Sequence, residues 1–221
     1  GIWQTVWLEP VAEKSIKNLK ITPDIDNSAI KVKPLLTNAS YGDIIEVTIK
    51  ENNKVIAVSK ASANEEVEIY IENQKLWSPE SPFLYDLTVK LLSGDTTTDT
   101  VDSYFAMRKI SKKRDENGVV RMQLNNKDYF QFGPLDQGWW PDGLYTAPTD
   151  EALKYDIVKT KELGFNMIRK HVKVEPARWY THCDELGILV WQDMPNGDAA
   201  PIWQNRKYFD GTALKRSAKS E

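Results

Sequence analysis

The chain has 221 residues, 41% hydrophobic and 28% charged, with a formal net charge of −3; this composition excludes a disordered or fibrous chain and fits one or two globular domains. No Lys/Arg block is present, which argues against nucleic acid or an anionic membrane as partner, and no run approaches the ~18 apolar residues of a membrane span. The one cysteine, Cys183, excludes an intrachain disulfide and a structural Cys zinc site, and reads as a small buried residue of a packed helix rather than a catalytic thiol.

Residues 1–10, Gly-Ile-Trp-Gln-Thr-Val-Trp-Leu-Glu-Pro, alternate bulky and polar side chains as a strand does. A chain opening in mid-strand reads as a piece of something longer, with any targeting signal lying elsewhere. From about residue 15 to 110 short alternating runs predict strands at 16–22, 30–36, 44–51, 55–59, 67–71, 84–92 and 98–105, with Asn52-Asn53 and Ser93-Gly94-Asp95 in hairpin positions. About seven strands at this spacing, without helical period, predict an immunoglobulin-like β-sandwich, although the Cys pair and central Trp of antibody domains are missing.

After Ile110 the pattern changes. Residues 112–120 are charged and carry Asn117-Gly118, a loop or hairpin turn; strands are expected at 121–124 and 129–132, around Asn125-Asn126-Lys127-Asp128. A helix is predicted from Thr149 as N-cap, with Asp150 and Glu151 in its first turn, Leu153, Ile157 and Thr160 on one face, and Gly164 just past its end. Strand 165–171, a second helix over 175–186 with Pro176 in its first turn and Gly187 as stop, and a strand from Gly187 to about Pro195 complete a βαβαβ succession, hence a parallel sheet. In a parallel α/β barrel the C-terminal strand ends form the working face. A full barrel needs ~250 residues, so 111–221 holds about three of its strands. Truncation is therefore expected at both ends, with an open edge at the third strand favouring dimerisation, domain exchange or disorder after about Asn196.

Several separated blocks resemble glycoside hydrolase family two, the family of β-galactosidases, β-glucuronidases and β-mannosidases. Residues 1–9 resemble the last strand of that family's N-terminal sugar-binding jelly roll. Leu76-Trp77-Ser78-Pro79-Glu80-Ser81-Pro82-Phe83-Leu84-Tyr85 resembles its Trp-Ser-Pro-x-x-Pro-x-Leu-Tyr segment; residues 156–161, 164–169 and 179–187 resemble the first barrel helix, second strand and second helix. The resemblance implies three parts: 1–12, the last jelly-roll strand; 13–110, an immunoglobulin-like sandwich; and 111–221, the start of a truncated (β/α)₈ TIM barrel. It departs from the better-known members at Gly133–Trp140, at Arg169-Lys170-His171-Val172-Lys173-Val174 and at Gln192-Asp193-Met194-Pro195-Asn196, positions that shape the sugar pocket.

The resemblance implies retaining hydrolysis of O-glycosidic bonds by two Glu residues from the fourth and seventh barrel strands. No Asn-Glu pair lies at the end of a plausible fourth strand, so no catalytic residue is expected in this chain and it is expected to be inactive alone. Substrate contacts are expected from Asp136, Gln137, Trp139, Trp140, Arg169, His171 and Asp193. The bland alternatives are an ion pair of Arg169 with Asp193 or Asp136, a structural His171, and tryptophans that cover the barrel rim. His182 reads as surface or packing, Trp77 and Trp191 as core, and Trp3 and Trp7 as exposed in this piece or swapped onto a neighbour. A metal site from His171, Asp136 and Asp193 has no spacing motif behind it, so no metal and no cofactor is expected. The expected partner is a glycoside or oligosaccharide; the alternative is a non-catalytic carbohydrate-binding or accessory module. The residues leave the compartment open, and the resemblance points to the periplasm or the cell exterior.

Overall fold

The computed structural model describes residues 6–194. Contacts divide the chain into two compact units, one from Thr5 to Gln131 and another that begins at Phe132.

In the first unit, residues 6–12 form no strand, and Trp7 is 72% exposed; the strand expected there finds no ladder partner among the described residues, and a lone strand cannot satisfy its backbone. Residues 1–5, with Trp3, lie outside the described residues. The sandwich follows: β1 (Ser15–Asp24), β2 (Ala29–Thr37), β3 (Ile44–Glu51), β4 (Lys54–Ser62), β5 (Val67–Tyr70), β6 (Tyr85–Ser93) and β7 (Thr96–Phe105). They form two antiparallel sheets, ordered β1-β2-β5 and β4-β3-β6-β7. Alternation puts Ile45, Val47 and Ile49 of β3 and Leu87, Val89 and Leu91 of β6 into one core with Ile30 and Val32 of β2. Burying each such side chain contributes about 1.5–3 kcal/mol.

Asn52 and Asn53 take φ of 49° and 66°, the left-handed pair whose twist matches a two-residue hairpin. Between β5 and β6, Trp77 is fully buried under the Arg108 guanidinium, 4.6 Å from the ring centroid, and its N–H donates to the Met107 carbonyl at 2.9 Å. The Tyr85 ring stacks on Phe105 at 5.1 Å, and its hydroxyl accepts the Lys75 N–H at 2.7 Å. The unit ends in a meander, β8 (Ile110–Arg114), β9 (Val120–Leu124) and β10 (Lys127–Asp128). Asn125 and Asn126, with φ of 53° and 65°, close a two-residue turn, so the strand expected at 129–132 comes earlier and is only two residues long. Asn125 Nδ2 donates to the Trp77 carbonyl at 2.9 Å and the Tyr129 hydroxyl to Glu80 at 2.6 Å, tying the meander to the sandwich.

The second unit runs β11 (Leu135–Asp136), α1 (Asp150–Glu162), β12 (Met167–Lys170), α2 (Ala177–Leu186) and β13 (Leu189–Gln192), with a parallel sheet ordered β11-β12-β13. Thr149 caps α1 by accepting the Ala152 N–H at 3.1 Å, Leu153, Ile157 and Thr160 are its buried residues, and Gly164 follows with φ of 84°. Both helices pack on one side of the sheet: Leu153, Ile157, Ile168, Trp179, Cys183 and Ile188 form one cluster. The first strand is short because Pro134 has no N–H to donate. Its approach is nonetheless close, and a Cβ on Gly133 would lie 1.6 Å from the Met167 carbonyl oxygen. Helix α2 starts at Ala177, two residues later than expected, with Pro176 as its cap and Glu175 turned to another task. Among the described residues no helix is long and apolar enough to cross a membrane.

Candidate functional site

The strand pleat sorts the candidate residues onto two faces. In register, Leu135, Arg169 and Trp191 stand side by side, and so do Asp136, Lys170 and Gln192. Ile168 packs on the helices, so Lys170 shares the helix face and Arg169 the opposite one.

On the face turned from the helices, Arg169 clamps Asp193 with two hydrogen bonds, Nε to Oδ1 at 3.1 Å and Nη2 to Oδ2 at 3.0 Å. This fork geometry ties the C-terminal ends of β12 and β13 together. The pairing raises the Arg169 pKa and holds the Asp193 carboxyl below its ordinary value. Next along the rim, Gln137 Nε2 lies 3.3 Å from His171 Nδ1. Trp191, expected in the core, is 42% exposed, because its place in the register is beside Arg169 on the helix-free face.

On the helix face, Asp136 meets Lys170 rather than the Arg169–Asp193 pair. Lys170 is 1% exposed, its ammonium bonds Asp136 and, at 3.0 Å, Glu175, and it sits 4.3 Å from the Trp179 ring centroid. Lys173, 3% exposed, lies 2.9 Å from the same Glu175 oxygen. Two buried cations thus face two carboxylates, the balance that makes their burial tolerable. Asp156 of α1 is a third carboxylate nearby; burial first, and then the charge of Asp136, push its pKa up.

Both lysines reach one face because Val172 takes φ of 45°. A β-branched residue in the left-handed region is strained and persists only where its surroundings enforce it. Gln192 Nε2 contributes by donating to the Lys173 carbonyl at 2.9 Å. The sequence reading singled out neither lysine nor Glu175. One signal was present: Lys170 lies two residues after Ile168, hence on the buried face of a period-two strand, with a second Lys and a Glu three and five residues on.

Trp139 is 61% exposed, and its ring meets Tyr145 edge to face at 5.2 Å and 71°. Trp140 is half-buried and pairs its backbone with Leu144 in both directions, at 2.8 and 2.9 Å. A cleft of about 510 Å³ beside β11 is lined by Asp136, Gln137, Trp139, Asp156, Lys159 and their neighbours, so three of the seven candidates border it and Trp140, Arg169, His171 and Asp193 do not. His182 packs, its Nε2 3.1 Å from Asp150 at the start of α1. Among the described residues no three His, Cys, Asp or Glu side chains gather as metal ligands.

Comparison with known proteins bears on both units. The family model "Glycosyl hydrolases family 2" matches residues 5–108. A Formosa agariphila protein that carries the name beta-glucuronidase is 31% identical over 169 residues, covering 72% of this chain and 15% of the relative. A beta-galactosidase of Thermoanaerobacter pseudethanolicus is 27% identical over 208 residues, covering 88% of this chain and 27% of the relative. The chain therefore spans well under a third of the length of these relatives. A beta-glycosidase structure from Bacteroides vulgatus superposes with a TM-score of 0.78 at 20% identity, over 94% of this chain and 27% of that one. The fold is thus an immunoglobulin-like sandwich followed by the first part of a (β/α)₈ barrel. By family model over its sandwich, by sequence along most of its length and by fold, the chain matches glycosyl hydrolase family 2.

Proposed function

We propose that this chain supplies one wall of the sugar site of a retaining glycosidase whose two catalytic Glu residues lie downstream of β13. The observation that carries the reading is the Arg169–Asp193 clamp across the C-terminal ends of β12 and β13, with His171 and Gln137 beside it. Retaining hydrolysis needs two carboxyl groups ~5–5.5 Å apart, one of them protonated near neutral pH. Asp193 is unsuited to the acid role, since Arg169 holds it ionised. The raised carboxyl, Asp156, belongs to the helix side. Arg169, His171 and Gln137 are suited to binding sugar hydroxyls and to orienting a carboxylate through charge-assisted bonds. Trp139 offers its exposed ring to the apolar face of a pyranose.

The substrate is a glycoside or oligosaccharide, and the compartment the periplasm or cell exterior, as the resemblance implies. Self-association through the edge of the partial barrel belongs to the same reading.

The test is turnover of nitrophenyl glycosides by the purified 221-residue chain. No turnover is expected, and substantial turnover abolished by Asp193→Ala would overturn the reading. Saturable sugar binding by the chain, with no gain in turnover when the downstream part of the gene is included, would favour an accessory module instead.

A further inference from the structure

We propose that Lys173 is the positioning residue for Trp139, fixing that ring as an aromatic platform for sugar; the inference rests on the reading that Trp139 contacts substrate. An exposed tryptophan on a loop ordinarily samples several rotamers, and ordering it at the moment of binding costs affinity. Here one buried cation touches both the peptide group before Trp139 and the ring that Trp139 meets. The Lys173 ammonium donates to the carbonyl of Gly138, the residue just before Trp139, at 2.8 Å. The same nitrogen lies 4.6 Å from the centroid of Tyr145, the ring on which Trp139 rests. The backbone just before Trp139 and the ring that Trp139 meets are therefore linked through one ammonium group.

The anchor is itself rigid. Glu175 holds Lys173 at 2.9 Å and is shared with Lys170, which reaches Asp136; the Asp136 carboxylate in turn accepts the Gly138 N–H at 2.7 Å. Gly138 fits there because it has no side chain. A Cβ would lie 2.4 Å from the Glu175 carboxylate and 2.8 Å from the Lys173 nitrogen, and φ at this residue is +66°. Both peptide groups flanking the Gly138 α-carbon are thus tied to the buried charges. An aromatic ring beneath a cation gains attraction that grows as water is excluded, and Lys173 is 3% exposed.

The experiment is ¹⁹F NMR of the full chain labelled with 5-fluorotryptophan, the Trp139 line being assigned with Trp139→Phe. The wild type is expected to show a Trp139 line displaced from the position of free fluorotryptophan. Lys173→Met should move that line to the free position while the other tryptophan lines stay, and Lys173→Arg should restore it in part. Tyr145→Leu keeps the ion cluster and should shift only the same line, which decides the matter if Lys173→Met fails to fold. A Trp139 line unmoved by Lys173→Met or by Tyr145→Leu overturns the proposal. In the protein at its natural length, Trp139→Ala and Lys173→Met should each raise KM about tenfold with kcat within about twofold, the mark of lost ground-state binding. A KM unmoved by Trp139→Ala overturns the sugar contact itself, separately from the hold of Lys173 on the ring.

Discussion

The sandwich and the barrel segment solve the burial problem in opposite ways. In the sandwich two sheets close on each other, and Ile45, Val47, Ile49, Val89 and Leu91 are each 0% exposed without a charge among them. Among the described residues the barrel segment has one sheet with helices on one side, and its burial includes Lys170, Lys173 and Glu175. An apolar core gains from every methylene through a force that has no direction of its own. A buried ion cluster adds little net stability but fixes geometry, because each charge tolerates only one arrangement of partners. The first unit is thus suited to holding things up and the second to holding things still.

The largest expected effect falls on the ionic side. Lys170→Met removes the cation shared by Asp136 and Glu175 and should cost about 3–5 kcal/mol, since unpaired buried carboxylates remain. Hydrogen exchange should show the loss across β11, β12 and α2, with the sandwich strands unchanged; equal loss in both units would break the contrast. Next comes Leu87→Ala at the centre of the sandwich, expected to cost about 3 kcal/mol by transfer and cavity terms and to accelerate exchange in β3 and β6 only.

The smallest effect, and the sharpest, is a pH response of opposite sign. Asp43 of the sandwich is held down at about 2 by the Lys14 ammonium and the Ser40 N–H, from an ordinary 3.8. Its contribution is full above 3.8 and is lost as pH falls through about 2. Asp156 is raised, so its contribution is full below its ordinary 3.8 and is lost as pH rises through the elevated value. Mild acidification from pH 7 should therefore favour the barrel segment through Asp156 before it weakens the sandwich through Asp43. Denaturation midpoints across pH for Asp156→Asn and Asp43→Asn check this: the first should abolish the gain, the second the acid loss. A response of the same sign in both variants would refute the assignment.

The sandwich was legible in the sequence because its signal is local. Alternation in β3 and β6, and turn residues such as Asn52-Asn53, state the strand and its exposed face within a few positions. Helix α1 was equally plain, from Thr149 to Gly164. The first barrel strand was harder. Its ladder depends on Gly133 approaching the Met167 carbonyl and on Pro134 withholding a donor, and no run of apolar residues marks that contact. The rim was legible in part: an ion pair of Arg169 with Asp193 or Asp136 was the alternative to a sugar contact, and the pair with Asp193 forms. Asp136 looked like their neighbour because it ends a strand, yet the pleat and its register with Lys170 send it to the helix face. The ion cluster escaped a reading by residue type because lysines are ordinarily solvated; alternation in β12 places Lys170 on the buried face, and what brings Lys173 to the same face is the turn at Val172, a backbone event with no compositional mark.

That turn also makes the stretch countable. With Val172 in the left-handed region, the spacing from Lys170 to Glu175 lets two ammonium groups meet the same carboxylate oxygen. A single inserted or deleted residue there would turn one lysine to the opposite face and leave the other with half its partners. In a panel of one-residue insertions, this segment should be among the least forgiving of the barrel unit.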